Sequence, residues 1–298
     1  MIVGEYRGKT GLLARMFGTR GSTSQDGAGR GEGVVVVNVL RERLDSGEPM
    51  YGCFVTLRDP AVVEIAALAG YDFVIIDMEH AGLNLESVVD HLRAARARGI
   101  GSLVRAPARS PATLFRLVEE GAEGVFIPHV SGPDVAQEVV DSVRYAPIGH
   151  RGIYDGTRAA DYSAHSFPSY REMTETLNSE LVVVLLIEDR EGVEQIDEIL
   201  AVSGVDVLSV GPSDLSYSLG VYGSVGHPLL GEAITTVRDG CRRHSIRFGM
   251  PPDHGTYPIP AAQLLEWGVT FMFRGSDSNA LVKGFRDRLS QMRAVGVQ

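Results

Sequence analysis

Eight short apolar runs, each followed by a segment of helical periodicity, constrain this chain more than any other feature of its sequence. The runs fall at 51–57, 73–77, 102–105, 124–128, 181–188, 205–210, 246–250 and 270–274. Several are apolar without interruption, such as Val182-Val-Val-Leu-Leu-Ile187. Strands covered on both faces read this way, as they do in parallel sheets. The segments between them carry helix signals. Leu85, Val88, Val89 and Leu92 share one face, with Asn84 placed to cap the start and Gly99 the end. Ser110-Pro111 opens another helix and Gly121 closes it. Repeated strand–helix units predict a single TIM (β/α)8 barrel over residues 36–298, a fold of roughly 250 residues. A doubly wound sheet is the alternative, but no Gly-x-Gly-x-x-Gly follows an early strand. The residues after Asp277 read as a terminal helix. The connection 147–178 is expected to be a long loop, carrying Tyr154, Tyr162, His165 and Tyr170, and loops of that length are often functional.

Composition narrows the classes further. The chain has 298 residues, 44% of them hydrophobic, enough to bury about three quarters of its unfolded surface. Its net charge of −10 makes nucleic acid and anionic membranes poor partners. No apolar run approaches the ~20 residues of a membrane span. Two cysteines, Cys53 and Cys241, are too few for a disulfide framework, and a reducing cytoplasm is the expected setting. Residues 1–35 hold nine of the 35 glycines. Such a stretch is costly to order and has little to bury, so a flexible extension is expected there. It lacks the apolar core of a secretory signal.

Ionisable groups stand directly after the apolar runs, where a barrel gathers its chemistry. Glu188 and Asp214 follow two consecutive runs. Two converging carboxylates repel unless a proton or cation lies between them, and a hard divalent ion with oxygen ligands would settle that repulsion. The plainer alternative pairs each with an arginine, or makes Asp214 a helix cap. Arg105 ends the third run; its planar fork suits a carboxylate or an enolate oxygen, the alternative being a salt bridge to Glu188 or Asp77. Gly211-Pro-Ser213-Asp214 leads from a strand into a helix, so its amides are placed to hold a carboxylate, unless it is an ordinary turn. His80 follows Asp77 and Glu79. A histidine oriented by a carboxylate works as a general acid/base near neutral pH, whereas a lone histidine is more often structural.

Tyr71-Asp-Phe-Val-Ile-Ile-Asp-Met-Glu-His80, Leu103-Val-Arg105, Leu186-Ile-Glu188 and Gly211-Pro-Ser-Asp-Leu-Ser216 together resemble the HpcH/HpaI aldolase family, the metal-dependent class II pyruvate aldolases of the citrate lyase β-subunit superfamily. The resemblance implies a TIM barrel with an exchanged C-terminal helix and a homohexamer built as a trimer of dimers. It implies Mg²⁺, Mn²⁺ or Co²⁺ held at Glu188 and Asp214, and a 2-oxo acid such as pyruvate or oxaloacetate bound beside the metal. Arg105 would meet the keto or enolate oxygen, the amides of Ser213 and Asp214 the carboxylate, and His80 would be the acid/base. The family's partner to that histidine falls on Glu119, with Glu120 as competitor. Leu186 stands where the family often has glutamine. His129 resembles the macrophomate-synthase branch, and its expected place is the wall of the acceptor pocket.

Three readings follow. The first is a divalent-metal aldolase acting through a pyruvate enolate on 4-hydroxy-2-oxo acids, with an aldehyde or other acceptor. The second uses the same enolate in an oxaloacetate decarboxylase or a biosynthetic synthase. The third, of another class, is a barrel that has lost catalysis.

Overall fold

The structure, a computed structural model, describes residues 38–106, 110–164 and 167–295. The glycine-rich stretch 1–35 and His165 lie outside the described residues. In chain order, α1 (Val39–Asp45) precedes β1 (Met50–Val55), α2 (Ala61–Ala69), β2 (Phe73–Asp77), α3 (Leu85–Arg98), β3 (Gly101–Arg105), α4 (Pro111–Glu119), β4 (Gly124–Ile127) and α5 (Pro133–Val143). A 3₁₀ turn (Arg158–Ser163) leads to α6 (Tyr170–Glu180), β5 (Val182–Ile187), α7 (Arg190–Glu194), α8 (Ile196–Leu200), β6 (Val207–Val210) and α9 (Pro212–Ser218). The chain ends through α10 (Pro228–His244), β7 (Arg247–Gly249), α11 (Ala261–Glu266), β8 (Phe271–Ser276) and α12 (Asp277–Val295). All eight strands are parallel, each pairs with the next, and β8 closes on β1. This is the predicted TIM barrel.

The uninterrupted apolar runs have a simple cause. Alternate strand residues enter two separate cores. Phe73, Ile75, Leu103, Phe126, Val184, Leu186, Phe271 and Phe273 fill the barrel interior. Val74, Ile76, Val104, Val125, Val183 and Leu185 face the surrounding helices. Both faces are therefore apolar, and burying each such side chain contributes about 1.5–3 kcal/mol. The interior is aromatic near its centre, with Phe54, Phe126 and Phe273 meeting edge to face.

Helix α3 starts and stops as its sequence predicts. The Asn84 side chain accepts the Ser87 N–H, and Gly99 adopts a φ of +62° that suits glycine. Helix α1 falls outside the predicted units. Asn38 caps it by accepting the Arg41 N–H at 2.8 Å, while Leu40 and Leu44 close the N-terminal end of the barrel interior. The connection 147–178 is not all loop. Ser169 caps α6, which buries Met173, Thr174 and Leu177. The 3₁₀ turn packs Arg158 against Gly121, just beyond the end of α4. Helices return antiparallel to the strands, so that contact lies at the N-terminal end of the barrel. Tyr154, Tyr162 and Tyr170 are exposed, and none lines the cleft at the opposite end.

Candidate active site

Strand register assembles the site. Asp77 lies beside Arg105 across β2 and β3, and Ile187 lies beside Val210 across β5 and β6. Glu188 and Gly211 therefore leave the sheet as neighbours, and Asp214 follows in the first turn of α9. Glu188 is buried and accepts the His129 backbone N–H at 3.1 Å. Its room comes from Gly211, where a Cβ would stand 2.8 Å from the Glu188 Cγ. Burial pushes the Glu188 carboxyl up to about 7; His129 works against that rise, and Asp214 and Glu79 add to it.

Arg105 is held rigidly. Its Nε donates to Asp77 Oδ1 at 2.9 Å and its Nη2 to Asp77 Oδ2 at 2.5 Å. Nη1 lies 3.3 Å from Glu79 Oε2, and the guanidinium stands 4.5 Å from the centre of the Phe54 ring. Asp77 also accepts the backbone N–H groups of Glu79 at 2.9 Å and His80 at 3.1 Å. Burial by itself raises the Asp77 carboxyl, but Arg105 and the two amides outweigh it and hold the carboxyl below its usual range. Asp77 thus locks Arg105 and shapes the turn to His80. It does not orient the His80 ring, whose nearest carboxylate is Glu79, with Nε2 3.6 Å from Oε2.

Glu79 is the residue that sequence reasoning undervalued. It was legible only as a neighbour of His80, yet it also meets Arg105 and the His129 Nε2, the latter at 3.2 Å. His129 has a φ of +54°, and its Nδ1 lies 3.4 Å from Glu188 Oε2. Its ring therefore stands between Glu79 and Glu188, beside the carboxylates rather than on the pocket wall. Glu119 is not brought to His80 within this chain. It closes α4, at the N-terminal end of the barrel, and its carboxylate accepts the Arg151 Nε at 3.0 Å. Glu120 follows it at the same end. Leu186 points into the barrel interior beneath the cleft.

His80, Arg105, Leu186, Glu188, Gly211, Ser213 and Asp214 all border one cleft of about 460 Å³ at the C-terminal ends of the strands. Asp253 and His254, after β7, and Arg274, of β8, border it as well. That volume suits a small molecule. Among the described residues no group of three metal-ligating side chains occurs. Among the described residues no helix is long and apolar enough to cross a membrane.

A parallel barrel with an arginine, histidines and paired carboxylates around a cleft at its strand ends has the architecture of a barrel enzyme. Residues 50–283 match the HpcH/HpaI aldolase/citrate lyase family, and the chain belongs to that family. It is an enzyme of the aldolase/lyase type. It is 31% identical over 243 residues to the 5-keto-4-deoxy-D-glucarate aldolase of Shigella boydii serotype 18, covering 82% of this chain and 91% of the relative. A solved HpcH/HpaI aldolase/citrate lyase family protein from Burkholderia cenocepacia J2315 is 32% identical, with a TM-score of 0.77 over 86% of this chain and 100% of that one. Macrophomate synthase is 26% identical, with a TM-score of 0.74 over 86% of this chain and 89% of that one.

Proposed function

We propose that this chain is a divalent-metal-dependent aldolase that makes and breaks a carbon–carbon bond through the enolate of pyruvate, acting on 4-hydroxy-2-oxo acids. The observation that carries this reading is the pairing of Glu188 and Asp214 at the ends of adjacent strands, on a cleft shared with Arg105 and His80. Two hard oxygen donors fit Mg²⁺, which takes one or two carboxylates and leaves its other positions to water and substrate; Mn²⁺ or Co²⁺ would suit the same pair. A bound ion would act as a Lewis acid toward the keto oxygen of the substrate. The raised Glu188 carboxyl supports the fit, since burial disfavours its charged form and a nearby cation would favour it.

The chain's own residues then divide the work. Arg105, held flat by Asp77 and Phe54, presents a fixed positive charge to the enolate oxygen. The first-turn amides of Ser213 and Asp214 receive the substrate carboxylate. His80 takes the proton of the C4 hydroxyl during cleavage and returns it during addition. Glu79 holds His80 and His129 within reach of the cleft.

A second reading, an oxaloacetate decarboxylase or a synthase of the macrophomate type, draws on His129. Its ring stands between Glu79 and Glu188, and decarboxylation gives the same enolate without a base at C4. Terminal helix α12 leaves Leu281, Phe285, Leu289 and Met292 exposed along one face, which supports an exchanged helix and a homohexamer. The free, buried Cys53 and Cys241 accord with the cytoplasm. Steady-state cleavage and decarboxylation assays with and without EDTA separate the readings. Metal-dependent cleavage faster than oxaloacetate decarboxylation supports the aldolase. The reverse order supports the second reading, and no metal-dependent turnover of either substrate refutes both.

A further inference from the structure

The long connection 147–178 takes no part in the cleft, yet it borders a second cavity at the opposite, N-terminal end of the barrel. This cavity, of about 90 Å³, lies between the 3₁₀ turn, α3, α4 and α6. It has room for several waters or for one molecule of a few heavy atoms.

Two polar side chains facing it lack partners. Ser102 lies beside Val74 across β2 and β3, and strand alternation turns it, like Val104, toward the helices. Its neighbours in that layer, Val74, Val125 and Val183, are apolar. Ser102 is 3% exposed. Its backbone N–H donates to Glu123 Oε2 at 2.9 Å, but its hydroxyl has no hydrogen bond among the described residues and borders the cavity. A buried hydroxyl left unpaired is costly. Arg158, half-buried in the 3₁₀ turn, borders the cavity as well, and its guanidinium has no ion pair or hydrogen bond among the described residues.

The other charges at the cavity are engaged. Arg96 Nη2 donates to Asp161 Oδ1 at 2.7 Å. Arg151 Nε donates to Glu119 at 3.0 Å, and its guanidinium stands over the Tyr145 ring. The two oxygens of Glu123 accept the backbone N–H groups of Val39, Leu40 and Ser102, and burial pushes this carboxyl up to about 7. Burial raises the Glu180 carboxyl too. The cavity therefore offers one uncommitted guanidinium and one hydroxyl, set among the apolar side chains of Leu92, Val118 and Leu177.

We propose that this cavity is a binding site for a short monocarboxylate, separate from the cleft. The planar fork of Arg158 takes the carboxylate, as guanidinium and carboxylate geometries match, and the Ser102 hydroxyl donates to one of its oxygens. The short carbon chain lies against Leu92, Val118 and Leu177. A neutral molecule would leave the guanidinium unpaired, and a dianion would meet Glu123 and Glu180 at close range. The assignment does not depend on the reaction run in the cleft.

Equilibrium dialysis of the Mg²⁺-loaded enzyme against radiolabelled propionate tests it. The wild type binds propionate saturably. Arg158→Met weakens that binding about tenfold or more, the scale of a charge-assisted hydrogen bond. Ser102→Ala, a smaller change with less risk to the fold, weakens it about three- to tenfold. Asp214→Ala, which alters the cleft alone, retains it. Propionamide, of the same shape but neutral, does not displace the label, and sulfate displaces it less well than unlabelled propionate. No saturable binding by the wild type, or equal binding by well-folded Arg158→Met or Ser102→Ala, overturns the site. Loss of binding in Asp214→Ala assigns the propionate to the cleft and overturns it equally. Displacement by propionamide or sulfate as effective as by propionate overturns the monocarboxylate assignment.

Discussion

Replacing Gly211 with alanine tests whether the position of Glu188 matters to the chemistry. Gly211 follows β6 and adjoins the Glu188 side chain at the end of β5. An alanine Cβ would stand 2.8 Å from the Glu188 Cγ and 2.9 Å from its Cδ, where ordinary contacts begin at 3.4 Å. The carboxylate must then move by about half an ångström or more, because the dispersion well turns steeply repulsive. It cannot slide freely, since it is buried and tied to the His129 N–H. Misplacing a catalytic group by about 1 Å costs on the order of 10²-fold, so kcat/KM for aldol cleavage should fall about 10- to 100-fold. Overpacking of one methyl costs about 1–3 kcal/mol, which lowers Tm by roughly 3–10 °C at this size. Cleavage kinetics at saturating Mg²⁺, a metal titration and a circular-dichroism melt measure all three. A well-folded Gly211→Ala enzyme with wild-type kcat/KM and metal affinity would refute the reasoning.

Arg105→Lys keeps the charge but loses the fork on Asp77, and turnover should fall by roughly 10²–10³; unchanged turnover with a lower Tm would give Arg105 a purely structural role. Glu188 titrates near 7 without metal, so metal must displace its proton, and below that pH apparent Mg²⁺ affinity should fall about tenfold per pH unit. Calorimetric titrations at pH 5.5, 6.5 and 8 check this, and a flat profile would contradict it. Truncation before Val36 should leave Tm within about a degree or two, because a glycine-rich stretch adds little burial; a larger drop in a melting experiment would show that the stretch packs on folded surface.

The barrel was legible because its physics is local. A strand between two apolar cores must be apolar on both faces, so Val182 to Ile187 announces itself without any knowledge of its neighbours. Asn84 and Gly99 likewise act within one turn of their own helix. Helix α1 was not legible, since Leu40 and Leu44 matter only once a barrel end exists for them to close. In the site, Glu188, Asp214 and Arg105 could be read as groups that follow apolar runs. Which carboxylate meets which cation depends on register and side-chain reach. The β2–β3 register gave Asp77 to Arg105 rather than to His80. Glu119 was placed by counting along the chain, and the antiparallel return of α4 puts it at the other end of the barrel. Glu79 and His129 come together across separate strands, a pairing that no local spacing encodes.

The central claim, enolate formation supported by Glu188 and Asp214, is tested most directly by proton NMR of pyruvate in deuterated buffer. With Mg²⁺ the wild-type enzyme should replace the methyl protons with deuterium, EDTA should abolish the exchange, and renewed Mg²⁺ should restore it. A folded Glu188→Ala, Asp214→Ala double variant should show none at any Mg²⁺ concentration. Exchange that persists in EDTA, or that the double variant carries out at the wild-type rate, would contradict the claim.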